Sequence, residues 1–281
     1  GEAFAARVRR HLDAIRARTG RRERFRVATR NSFPAAAGLA SSASGFAALA
    51  IATASACHPE RTRRIWAGEA DARELSILAR LSGSGSAARS VLGGYVEWPA
   101  EPGDEAPARQ LAPAGHWDLR CVIALLETGA KEVSSLEGHR RAPSSQHFAR
   151  RLELVPERLA AVRRAIRDRD LAALGPVLER EAIELHAVAM TSEPPIFYWR
   201  PATLEVLAAV RNLRGSASGG GVQAWATMDA GANVHVLCPP EDEARVAAAL
   251  AAVPGVHGLI RDRVGDGPRE EPVDLLAGGG R

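Results

Sequence analysis

The chain has 281 residues, of which 46% are hydrophobic and 25% charged. That is enough for a sizeable core or two modest domains, with no apolar run long enough to span a membrane. The formal charge is +4, but only 5% of residues are aromatic and no nucleic-acid motif is present, which argues against a nucleic-acid-binding module. Cys57, Cys121 and Cys238 stand far apart without metal-ligand spacing, and the first residues carry no secretory pattern. A reduced, cytoplasmic setting is therefore expected, with no metal site made by the chain itself.

Residues 4–18 place Phe4, Val8, Leu12 and Ile15 at helical spacing, an amphipathic helix with an Arg-rich outer face. Phe25, Val27 and Thr29 suit a strand. Pro34 and Gly38 then punctuate a loop of small residues, and a helix follows from about Leu39, with Ser41 and Ser42 in its first turn. Such a loop lets backbone approach a ligand, and a helix start offers unpaired N–H groups to an anion such as phosphate. The same composition also suits an Ala/Gly-rich helix packed tightly under a sheet. A further helix is clearest from Glu74 to Leu81. In Ser82–Trp98, SGSGSAARSVLGGYVEW, a flexible loop precedes a short helix and a strand at Tyr95–Trp98. Arg89 is the only charge between Ser82 and Tyr95. It suits a bidentate grip on a carboxylate or phosphate, and equally a solvated linker.

Residues 99–115, rich in Pro, Gly and acids, read as a loop at a domain junction. Leu119–Leu126 reads as a buried strand and Glu127–Gly138 as a polar loop, whose Lys131, Ser134 and Ser135 can contact anions, although most polar loops are merely solvated. Residues 145–190 are mostly helical. Leu154, Leu159, Val162 and Ile166 form one apolar stripe, and Ala182, Leu185 and Met190 part of another. A single helical histidine, His186, reads as structural in preference to catalytic. Pro194–Pro195 break the helix, and Pro201 starts the next. Gly-rich residues lead to a strand at Val222–Met228, ended by Asp229. A turn at Ala230–Asn233 and a strand at Val234–Leu237 follow. A carboxylate at a strand end can serve as a general base, and a turn Asp held by its own backbone is the competing reading. The end reads strand, helix, strand, as in a ferredoxin-like half-domain.

Six stretches carry a resemblance. They are Asn31–Gly45 (NSFPAAAGLASSASG), the Gly-Ser-Gly-Ser-Ala-x-Arg-Ser-x-x-Gly-Gly run from Gly83 to Gly94, Lys131-x-Val-Ser-Ser, Pro194-Pro-Ile-x-Tyr, Thr227-x-Asp-Ala-Gly-x-Asn and Gly265-x-Gly-Pro. In this order they resemble the GHMP kinase superfamily and, within it, the mevalonate diphosphate decarboxylase family. Two positions depart from the family pattern: Ala88 stands where the family has Cys, and Ala232 where it usually has Pro. The family's Ala-x-Ile-Ala-x-x-Lys-Tyr-Trp-Gly-Lys motif is not in this sequence, so the N-terminal half is expected to lack its first strands.

The resemblance implies an α+β fold of two domains. Residues 1–115 would form a ribosomal-protein-S5-domain-2-like, nucleotide-phosphate-binding half, and residues 116–281 a ferredoxin-like half. It implies that Ala37, Gly38, Leu39, Ala40, Ser41 and Ser42 bind ATP. Ser84, Ser86, Arg89, Lys131, Ser134 and Ser135 would bind substrate, and Arg89 and Asp229 would be catalytic, with ATP and Mg²⁺ as cofactors. The implied reaction is ATP-dependent decarboxylation of mevalonate 5-diphosphate to isopentenyl diphosphate, by phosphorylation of the 3-hydroxyl, in a homodimer. A related small-molecule kinase, a phosphomevalonate decarboxylase, and an impaired fragment with a binding role are the alternatives.

Overall fold

The computed structural model describes residues 2–32, 40–66, 72–99, 103, 105–127, 129, 132–215, 221–271 and 275. They divide into two compact units. The first takes residues up to Pro113 and those from Gly265 onward, and the second takes Ala114–Val264. In this division the described residues from Gly265 onward group with the first unit.

The first unit contains α1 (Glu2–Thr19), α2 (Ser41–Cys57), α3 (Pro59–Trp66), α4 (Arg73–Arg80) and α5 (Gly85–Arg89). It also holds a ribbon of β1 (Tyr95–Glu97) and β2 (Arg109–Ala112). Ala43, Ala47 and Ala50 recur at helical spacing along α2, and with Phe46 and Ile51 they pack on Leu75, Leu78 and Ala79 of α4, Ala87 of α5 and Ile15 of α1. The expected strand at 25–29 is absent. No described strand pairs with it, and a strand exists only through its neighbour's N–H and C=O groups; Val27 is exposed. The ribbon strand β2 lies where a loop was expected. It is held by Arg109, whose Nη2 donates to Glu97 Oε2 at 3.0 Å, and by the Ala108 N–H, which donates to Ser76 Oγ at 2.7 Å. The Gly94 N–H donates to the Gly265 carbonyl at 2.8 Å. A Cβ at Gly93 would sit 2.1 Å from the Asp266 carbonyl oxygen, so the two glycine motifs meet backbone to backbone.

The second unit begins with β3 (Arg120–Leu125). There follow α6 (Ser135–Arg141), α7 (Phe148–Asp168), α8 (Leu171–Met190), α9 (Pro201–Gly215), β4 (Trp225–Thr227), β5 (Val234–Cys238), α10 (Glu243–Ala251) and β6 (Gly258–Arg263). The sheet order is β4-β5-β3-β6, and every pairing is antiparallel. Strands β5 and β6 therefore run parallel on either side of β3, joined by α10, which is the split β-α-β arrangement of a ferredoxin-like half. Val122, Ala124, Ala226, Val234 and Val236 of the sheet bury against Val206 and Val210 of α9, Val246 and Leu250 of α10 and Ala182 of α8. Gly175 lets α8 approach the Trp225 ring, which a Cβ there would meet at 2.0 Å. Arg214 lies 4.0 Å over that ring and pairs with Glu179 at 2.8 Å.

The α7 stripe is less buried than its spacing suggests: Leu159 is exposed, and only Ala165 of that helix is buried. Ion pairs help to hold α7 to α8. Arg158 reaches Glu181 at 2.6 Å and Glu184 at 2.7 Å, and Arg151 also pairs with Glu181. Together the units make the protein α+β. Among the described residues no helix is long and apolar enough to cross a membrane.

Candidate functional site

In the first unit, α2 begins where Ala40 turns left-handed, at φ 52° and ψ 27°. This conformation costs an L residue with a Cβ about 1–2 kcal/mol, and it directs the chain straight into the helix. No acidic side chain lies in the first turn, Ser41 is buried and Ser42 is exposed. A helix start without a carboxylate, reached through a strained small residue, fits a phosphate group. Ala37, Gly38 and Leu39, the rest of the expected ATP loop, lie outside the described residues. Helix α5 packs on α2 through Ala87, so Ser84, Ser86 and Arg89 are carried by the same small core. Ser84 caps α5, its Oγ accepting the Ala87 N–H at 3.4 Å. Ser86 is half-buried. Arg89 is exposed and pairs with no carboxylate among the described residues.

A cavity of about 470 Å³ in the same unit, walled by Arg16, Arg18, Phe25, Cys57 and His58 among others, contains none of these residues. Among the described residues no group of three His, Cys, Asp or Glu could hold a metal.

In the second unit, residues 228–233 connect β4 to β5, whose last paired positions are Thr227 and His235. Asp229 is exposed there, and its carboxylate has no hydrogen bond or ion pair among the described residues. The connection itself is tightly held. The Asp229 carbonyl accepts from His186 Nε2 at 3.1 Å, and the Ala232 carbonyl accepts from Thr203 Oγ1 at 3.1 Å. Asn233 Oδ1 accepts from the Leu126 and Glu127 N–H groups at 2.7 and 3.0 Å, while its Nδ2 donates to the Glu127 carbonyl at 3.0 Å. Ala232, where the family usually has Pro, is buried, and Thr203 holds its carbonyl without the ring.

The Pro-Pro-Ile-x-Tyr segment joins this turn to the loop before α6. Val133 and Ala230 both pack on Ala189, Ile196 and Tyr198, and the Tyr198 hydroxyl donates to the Ser134 carbonyl at 3.4 Å. Asp229 and the Ser134 segment thus belong to one patch. Lys131 lies outside the described residues. Ser134 and Ser135 are exposed, but Ser134 is the N-cap of α6, its Oγ accepting the Glu137 N–H at 3.2 Å. The expected polar loop is therefore cut short by a helix. The signal was present in Ser134-x-x-Glu137, a capping-box spacing.

Three residues that hold the turn were missed as such by the sequence reading: His186, Thr203 and Asn233. Only His186 carried a usable signal, since it sits four residues after Ala182 and three before Ala189 on the apolar face of α8. Burial pushes its imidazole down from 6.5 to about 4, and does the same to His11, whose ring lies 5.3 Å from that of Phe46 at a tilt of 57° in the first unit. Both are neutral when folded and would take up a proton at higher pH when unfolded. Stability is therefore complete above pH 6.5 and falls as the pH drops toward 4, by about 1.4 kcal/mol per pH unit for each histidine. Urea unfolding between pH 7 and 5 is expected to show this loss, and His186→Leu is expected to weaken the dependence.

A model of the diphosphomevalonate decarboxylase-like N-terminal domain matches residues 2–107, and a model of the mevalonate 5-diphosphate decarboxylase C-terminal domain matches residues 121–270. The diphosphomevalonate decarboxylase of Aspergillus fumigatus is 38% identical over 237 residues, covering 82% of this chain and 56% of its own length. This chain thus spans little more than half of that relative. The crystal structure of mevalonate diphosphate decarboxylase from Staphylococcus aureus is similar at a TM-score of 0.78 and 30% identity, over 93% of this chain and 76% of that one. The structure of MDDEF in complex with MVAPP, AMPPCP and magnesium gives a TM-score of 0.77 and 32% identity, over 93% and 76% of the two chains. Two domain models in the expected order, matched by relatives that share both sequence and fold, place this chain in the mevalonate diphosphate decarboxylase family.

Proposed function

We propose that the protein decarboxylates mevalonate 5-diphosphate to isopentenyl diphosphate in an ATP-dependent reaction. The observation that carries this reading is Asp229, a carboxylate without a partner of its own among the described residues, on a turn that buried side chains hold still. Asp229 accepts the proton of the substrate's 3-hydroxyl and aims its oxygen. ATP with magnesium supplies the phosphoryl group that makes this oxygen a leaving group, and the N-terminus of α2 at Ala40, Ser41 and Ser42 would hold the nucleotide's phosphates. Arg89 grips the substrate carboxylate with its planar fork and orients the bond to be broken. As the phosphorylated oxygen departs with its electron pair, the electrons of the carbon–carboxylate bond become the new double bond and carbon dioxide leaves. Ser84, Ser86, Ser134 and Ser135, with Lys131, supply the remaining polar contacts to substrate.

The MVAPP, AMPPCP and magnesium bound by MDDEF support this choice of substrate and cofactors. Three free thiols among the described residues support a reducing compartment. The reading carries the family's homodimer with it, which sedimentation measures directly. The deciding experiment compares carbon dioxide with ADP release on mevalonate, its 5-phosphate and its 5-diphosphate. One carbon dioxide per ADP on the diphosphate alone is the expected result. ADP without carbon dioxide would make the protein a kinase, and carbon dioxide from the monophosphate would make it a phosphomevalonate decarboxylase.

A further inference from the structure

His186 makes no approach to the reacting atoms in the mechanism above, yet it is the side chain that holds the Asp229 peptide. It is buried in the face that α8 turns toward the core. Its ring lies 5.9 Å from Tyr198 at 84° and 5.4 Å from Trp199 at 45°. Its Nε2 lies 3.1 Å from the Asp229 carbonyl oxygen. A carbonyl can only accept, so Nε2 carries the proton. The neutral ring has one N–H, which fixes the tautomer with Nδ1 bare.

Asp229 has no side-chain bond of its own among the described residues, so its carboxylate takes its direction from its backbone. That backbone is held at one end by His186 and, three residues on, by Thr203. The two aromatic neighbours keep the imidazole from swinging, and Tyr198 also ties down the Ser134 carbonyl. One ring thus keeps the carboxylate turn in register with the neighbouring loop.

We propose that His186 is the positioning residue of Asp229, acting through the peptide carbonyl rather than on the substrate. The inference rests on the decarboxylase reading for its kinetic consequence, but not for its structural one. His186→Gln puts an amide N–H where Nε2 stands. His186→Asn is one bond too short to reach, and His186→Leu keeps volume without a donor. In the full-length protein, H186N is expected to lower kcat on mevalonate 5-diphosphate by about 10–100-fold, with KM for both substrates within about twofold of the parent. H186Q is expected to recover to within about threefold. If H186N does not fold, H186L makes the same comparison.

Amide hydrogen exchange at residues 230–234 is expected to quicken in the variant without a reaching donor, and to stay at the parent's rate in H186Q. Equal kcat in all variants, a loss confined to KM, or H186Q as impaired as H186N would overturn the proposal. If the parent releases no carbon dioxide, the decarboxylase reading fails, and exchange alone decides the positioning. Unchanged exchange in the donor-less variant then sinks it.

Discussion

Replacing Asp229 by Asn is expected to lower kcat by about three orders of magnitude while leaving KM for mevalonate 5-diphosphate and ATP nearly unchanged. Loss of a positioned acid or base typically costs 10²–10⁴-fold. An effect confined to the chemical step marks an interaction made in the transition state rather than in binding. Asn keeps the size of the side chain and can still accept a hydrogen bond through its amide oxygen, but it cannot take a proton. Asp229 is exposed and unpaired among the described residues, so the substitution breaks no contact that holds the fold. Its melting temperature should match the parent's. Steady-state release of carbon dioxide and ADP is the measurement, with thermal melting as control. Turnover by D229N within tenfold of the parent would remove Asp229 from the chemistry.

Arg89 offers the second large effect. Its guanidinium is permanently charged, and no described carboxylate engages it, so no internal ion pair has to break before a substrate binds. Arg89→Ala is expected to lower kcat/KM by about 10³-fold, since a charged, bidentate contact is lost at the group that must depart. Arg89→Lys restores charge but not the planar fork, and should recover only part of that loss. Because the position is exposed at the end of α5, neither change should move the melting temperature by more than a degree or two. An R89K enzyme equal to the parent would show that charge alone suffices, and an R89A enzyme equal to the parent would free Arg89 from any role.

Different parts of this site were legible in the sequence to different degrees. Helix α2, read from about Leu39 and found from Ser41, followed from small residues, Pro34 and a helix-forming run, all of which act locally. The strand expected at 25–29 failed for the opposite reason. Its β-forming residues were read correctly, but a strand needs a partner, and propensity does not supply one. The capping of α6 by Ser134 was written in four residues and was overlooked because the segment was read as a polar loop. Strand β2 gave little warning, because Arg109–Ala112 follows a stretch dense in proline and acids, and it pairs only through a bulged register with β1.

The support of Asp229 belongs to another kind of information. Asp229, Ala230 and Asn233 lie within five consecutive residues, and their motif pointed to the turn. Nothing local says that Asn233 closes three hydrogen bonds on residues more than a hundred positions earlier, or that the imidazole of His186 ends on the carbonyl of Asp229. The order of residues was enough for the family, the α+β class and the chemical types of the candidate groups, because those rest on motifs and on periodicities of two and 3.6 residues. Which side chains hold the carboxylate in place emerged only from the folded chain. Hydrogen bonds between distant segments depend on where helices α8 and α9 come to lie on the sheet, and that is settled by the burial of the whole core rather than by any short stretch of it.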